Sequence, residues 1–197
     1  MGTIGLLLGS GWASGINLYL VTLLLGIASR LGWGGVPDVF GRTEFMVIAA
    51  ILAVIEFMVD KIPYVDNVWD SVHTVIRPLG AAVIGALLTG ETTSVVTAVG
   101  AVVSGGLALN AHAAKASTRL AVNASPEPVS NIVLSLFEDL SVAGLMALAL
   151  AFPVITTIVV IVLVASAGAL TLWLFRKTRG AWRGIRSRVG SARSRSS

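Results

Sequence analysis

Cysteine is absent from the chain. That excludes disulfides, a thiolate nucleophile and any cysteine-ligated zinc or iron–sulfur site. Catalytic signatures are missing too: there is no Walker loop, no GxSxG elbow, no HExxH and no dinucleotide-binding glycine pattern, so no cofactor is implied and no recognised catalytic spacing is present. An enzyme handling a lipid phosphate with acid pairs beside His and Arg stays open, though an enzyme is the less favoured class. Charge is scarce, at 12% of residues against 55% hydrophobic, and mean hydropathy is +0.88. Such a composition belongs to a membrane chain. At 197 residues there is room for one compact unit and none for a separate soluble domain.

The few charges are unevenly placed. Eight of the 14 basic residues are Arg176, Lys177, Arg179, Arg183, Arg186, Arg188, Arg193 and Arg195, which leaves six bases against all 10 acids in residues 1–175, a net of −4. Residues 176–197 therefore read as a basic cytoplasmic tail, because Lys and Arg beside a span mark the cytoplasmic side and attract anionic lipid by about 1 kcal/mol per charge. Topology alone explains this run, so membrane lipids and not nucleic acid are the expected partners. Trp173 and Trp182 suit an interfacial aromatic belt.

A helix needs roughly 20 mostly apolar residues to cross a bilayer. About six segments qualify: 4–31, 43–61, 72–89, 94–120, 128–150 and 153–175. The expected fold is an all-α polytopic membrane protein with about six transmembrane helices over residues 1–175. The first segment has no basic n-region before it and reads as a retained span. An even number of spans with the tail inside places both termini in the cytoplasm of a bacterial inner membrane. Parallels between the halves suggest two inverted three-helix repeats, 4–89 and 94–175: Ser14-Gly15 with Ser104-Gly105, Ser29-Arg30-Leu31 with Thr118-Arg119-Leu120, and Pro78 with Pro153. Inverted repeats recur in secondary transporters. Chance similarity between apolar strings is the alternative.

Ionisable groups inside apolar segments cost roughly 2.5–3.5 kcal/mol each on insertion scales, so they usually face a protein interior or water cavity. In DNVWDSVHTVIRP, Asp66, Asp70, His73 and Arg77 share one helical face. That face could be the solvated side of an interfacial helix, a divalent-cation site, or an ion-pair ladder Asp70–His73–Arg77 bracing a gate. His112, Lys115 and Arg119 form a cationic stripe continuing towards Asn123. It could hold a phosphate or carboxylate, or snorkel to headgroups. Asn131, Ser135 and Glu138 share another face, with Asp139 beside it, while Glu56 and Asp60 lie one turn apart in the second segment. Buried carboxylates of this kind can carry protons, or simply neutralise Lys61, Lys115 or Arg119. Ser10, Ser14 and Asn17 lie on one face of the first segment among Gly9, Gly11 and Gly15. The pattern serves close helix packing or a broken helix lining a cavity.

Three stretches carry a resemblance: GWASGINLY, EFMVDKIPYVDNVWDSVHTVIRP and HAAKASTRLAVNASPEPVSNIVLSLFED. They resemble bacterial integral-membrane proteins grouped as a domain of unknown function (domain of unknown function 4126), over most of residues 9–155. The resemblance implies a polytopic inner-membrane protein and brings no activity or substrate. The functional expectation rests on the residues. It is a small transporter or permease, homodimeric, coupled to protons or cations through Glu56, Asp60, Glu138 and Asp139. Asn17, His112, Lys115, Arg119 and Asn131 would bind an anionic solute or lipid headgroup, and Asp66, Asp70, His73 and Arg77 would form a gate or ion-pair group. The alternatives are a non-transporting scaffold that binds a partner, and a lipid-phosphate enzyme. A metal is left unassigned.

Overall fold

The computed structural model describes residues 2–193 apart from 34, 63, 91–92 and 124–127, and gives the backbone alone for 128, 174 and 177–193. The described residues form seven helices and no strand: α1 (Gly2–Ser14), α2 (Leu18–Arg30), α3 (Thr43–Val59), α4 (Val65–Thr89), α5 (Ser94–Asn123), α6 (Pro128–Ala151) and α7 (Pro153–Arg193). Four of them contain stretches long and apolar enough to cross a membrane: Val65–Thr89, Ser94–Asn123, Val129–Ala151 and Pro153–Trp173. α3, with 17 residues, rises about 25 Å at 1.5 Å per residue and sits at the short end of spanning lengths.

The segment 4–31 is not one span. It is two helices of 13 residues each, and about 20 Å of helix is too short to cross hydrocarbon. The break falls at Gly15-Ile16-Asn17. The chain leaves α1 in a turn, with Gly15 N–H donating to the Trp12 carbonyl at 3.1 Å and Ile16 N–H to that of Ala13 at 2.9 Å. Asn17 then restarts the helix as an N-cap in extended backbone, its side chain accepting from Leu20 N–H at 2.9 Å. Asparagine suits this position because its carbonyl oxygen satisfies an orphan N–H of the new first turn.

α1 and α2 diverge from the break and return to one end of the bundle. Thr3, Ile4 and Leu7 share a cavity of about 670 Å³ with the Gly35–Asp38 loop, the end of α4 and the start of α5. A Cβ on Gly5 would run into the backbone of Pro153 at the start of α7. The hairpin tip lies in mid-bundle, where Gly15 abuts Ala108 and Ala111 of α5. Small residues let α1 in: Gly11 and Gly85 both abut Ser104, the close-packing reading of the small-residue pattern.

Three further expectations change. The helix placed at 72–89 begins at Val65, so the polar stretch 66–77 belongs to α4, with Pro78 inside it. The last helix runs on through the basic residues to Arg193. The halves also open differently, since α5 is one unbroken helix where the first half has a broken pair.

Polarity is arranged inside out. Val68, Val102 and Leu140 are 68%, 75% and 72% exposed, while Asp66, Arg77 and Arg119 are fully buried. A chain in water would reverse this; a chain in lipid keeps apolar groups outward and pairs its polar groups within.

Candidate functional site: a buried charge cluster

Four helices and the hairpin tip supply the cluster. α3 contributes Glu56, with Asp60 at its C-terminus. α4 contributes Asp66, Asp70, His73 and Arg77; α5 contributes His112, Lys115, Arg119 and Asn123; α6 contributes Glu138. All are buried. Steps of three and four residues put each set on one face, and that face turns inward because an unpaired charge would be severely penalised by lipid.

Arg77 organises the α3–α4 side. Its Nη2 donates to Glu56 Oε1 at 2.7 Å, and its Nη1 lies 3.0 Å from Asp70 Oδ1 without an aligned hydrogen bond. Nη1 also donates to His112 Nδ1 at 2.7 Å and, at 3.4 Å, to the Gly15 carbonyl. Because that Nδ1 accepts from a guanidinium, His112 is neutral and protonated at Nε2. Its Nε2–H then reaches Thr74 Oγ1 at 3.0 Å, and Thr74 donates onward to the Asp70 carbonyl at 3.0 Å.

Lys115 and Arg119 organise the other side. Lys115 Nζ donates to Asp60 Oδ2 at 2.7 Å and to the Ile16 carbonyl at 3.0 Å; Glu138 and Glu56 lie 3.5 and 3.7 Å from it. Arg119 bonds Glu138 Oε2 and the Asp60 carbonyl, with Asp60 Oδ2 and Asp66 Oδ2 each at 3.3 Å. Asn123 Nδ2 donates to both Asp66 oxygens, at 3.0 and 2.9 Å. The carbonyls freed by the helix break thus meet cations, which favour a helix C-terminus.

The sequence-predicted residues divide accordingly. Glu56, Asp60, Asp66, Asp70, Arg77, His112, Lys115, Arg119 and Glu138 come together. The face 66–77 is buried, so it is not the solvated side of an interfacial helix. The ladder Asp70–His73–Arg77 is only half present. His73 stacks on Trp69 at 4.4 Å, donates from Nδ1 to the Trp69 carbonyl at 2.8 Å, and accepts from the Tyr19 hydroxyl at 2.9 Å. Lys115 and Arg119 do not snorkel; internal carboxylates occupy them. Asp139 lies apart, half-buried, accepting from Asn17 Nδ2 at 3.0 Å. Asn131 is buried with neither amide atom bonded. Lys61 Nζ sits over the Phe57 ring and reaches Ser135 Oγ at 3.3 Å. Sequence reading missed Tyr19, Thr74 and the carbonyls of Gly15 and Ile16, for which the only signal was the glycine and asparagine interrupting an apolar run.

Charge within the cluster does not balance. Among the described residues, the buried carboxylates Glu56, Asp60, Asp66, Asp70 and Glu138 face the buried bases Arg77, Lys115 and Arg119, two more carboxylates than bases with His112 neutral. Glu56 Oε2, Asp60 Oδ1 and both Asp70 oxygens are buried without a hydrogen bond. Among the described residues no three His, Asp or Glu side chains are grouped to hold a metal ion.

No curated protein and no solved structure matches this chain significantly. One family model does match, over residues 4–176. Its span takes in the hairpin and every residue of the buried cluster, and the chain accordingly belongs to that family, a domain of unknown function (DUF4126).

Proposed function

We propose that this protein is a small membrane transporter whose buried carboxylates exchange protons or monovalent cations as the bundle changes state. The carrying observation is the uncompensated acid: carboxylates in a low-dielectric interior, two in excess of their bases, hold protons or cations to remain there. The excess surrounds a break in a helix, the kind of interruption that lines sites in secondary transporters. Inserted with the basic end of α7 in the cytoplasm of a bacterial inner membrane, the bundle puts the start of α1 on the opposite face, because α1 and α7 begin at the same end. Both termini in the cytoplasm would require α1–α2 to cross. An anionic solute, as expected from the cationic stripe, would have to displace Asp60 or Glu138 from Lys115 and Arg119. A homodimer fits a bundle of this size.

Reconstitution into vesicles tests the coupling. A solute panel is followed with and without an imposed pH or sodium gradient. Gradient-driven accumulation is expected, and Glu138→Gln should lower it at least tenfold while the protein stays in the membrane. Accumulation that ignores both gradients, or survives Glu138→Gln, overturns the coupling role. The internal ion pairs of Arg77, Lys115 and Arg119 favour a second reading, a scaffold that binds a membrane partner. It predicts a co-purifying protein and no gradient-driven flux.

A further inference from the structure

An apolar groove of about 450 Å³ runs between α1, α6 and α7, walled by Trp12, Ile16, Leu145, Leu148 and Leu163. Glu138 is the one cluster carboxylate among the residues lining it. Arg119 and Lys115 both meet its Oε2, and the side chain keeps 9% exposure. The other polar group is Trp12, which is nine-tenths buried and whose indole Nε1–H has no acceptor. Ser141 spends its hydroxyl hydrogen on the Phe137 carbonyl at 2.7 Å. A Cβ built on Gly144, which also lines the groove, meets nothing within 4 Å.

We propose that this groove binds a lipophilic monocation, its apolar body against α1, α6 and α7 and its cationic head against Glu138. Three observations converge on that chemistry. The wall is apolar and suits the body of an amphiphile. The cluster, Glu138 included, holds two more carboxylates than bases, so a cation is the complementary head and an anion is repelled. Trp12, an aromatic residue of the wall, adds attraction for a cation. The inference rests on the transporter reading for its purpose, since a cation arriving at Glu138 would replace a proton there. The binding itself requires no flux.

The test is equilibrium binding of benzyldimethyldecylammonium to the full chain in phosphatidylcholine nanodiscs, beside an uncharged analogue of the same shape. Saturable binding is expected, at least tenfold tighter for the cation. Glu138→Gln and Gly144→Phe should each weaken it at least tenfold, whereas Gly106→Phe, on open space elsewhere on α5, should leave it unchanged. Gly144→Phe keeps the test valid if Glu138→Gln fails to fold, because it touches no ion pair. Equal binding of the uncharged analogue would mean a groove for lipid acyl chains and overturn the proposal, as would absent saturable binding or an unaffected Gly144→Phe. Binding without gradient-driven flux would leave the groove standing and remove transport; flux of other solutes without this binding would do the reverse.

Discussion

Arg77 shows how a charge survives in this interior. Its guanidinium meets Glu56, Asp70, neutral His112 and a backbone carbonyl, and its side chain is fully buried. Removing one member of a buried pair strands the other, at a cost of about 3–5 kcal/mol. Arg77→Met should therefore lower stability by that order, measured as the denaturation midpoint in detergent. Adding Glu56→Gln should recover much of the loss, since it removes one stranded charge. A wild-type midpoint in Arg77→Met, or no recovery in the double variant, would show that the pair does not support the fold. The identities of these residues were legible in the sequence, because their three- and four-residue spacing and their place in apolar segments mark them for burial. Their partners were not. Lys115 pairing with Asp60, 55 positions away, depends on which helix faces which.

At the scale of the element, the hairpin depends on close approach. A Cβ on Gly11 would lie 2.9 Å from the Ser104 backbone Cα, and the backbone cannot yield as a side-chain tip can, whereas one on Gly106 meets nothing. Gly11→Val should destabilise by about 1–3 kcal/mol through overpacking. Gly106→Ala should be neutral or stabilising by up to about 1 kcal/mol, from the smaller entropy loss of alanine in a helix. Reversible unfolding in mixed micelles would report both, and a tolerated Gly11→Val would show that α1 does not seat against α5 as described. Helix lengths of α5 and α6 followed closely from hydropathy. The start of α4 did not: a polar face reads as a water-facing loop or surface helix until the carboxylates and bases of neighbouring helices are known to meet it.

For the whole molecule, the hairpin decides topology. With α1–α2 entering and leaving at one end, the start of α1 and the end of α7 lie at opposite ends of the bundle. The cysteine-free chain allows single cysteines to be labelled without background. An impermeant maleimide on intact cells should label Trp33→Cys, in the exposed loop after α2, and spare Ser191→Cys near the end of α7 until the membrane is opened. Labelling of both, or of neither, on intact cells would contradict the opposed arrangement. Labelling of Ser191→Cys alone would invert it.

The sequence by itself determined that this is a helical membrane chain, that its polar residues share helical faces, and which side chains are candidates for the cluster. Those follow from local rules: apolar length, helical periodicity and the cost of charge in lipid. Only the tertiary structure decided that the first apolar segment turns back at Gly15-Ile16-Asn17, that the faces of α3, α4, α5 and α6 converge there, and that acids outnumber bases where they meet. Hydropathy is blind to a break in an apolar run, because the break is stable only when Arg77 and Lys115, brought from distant helices, satisfy the carbonyls it frees.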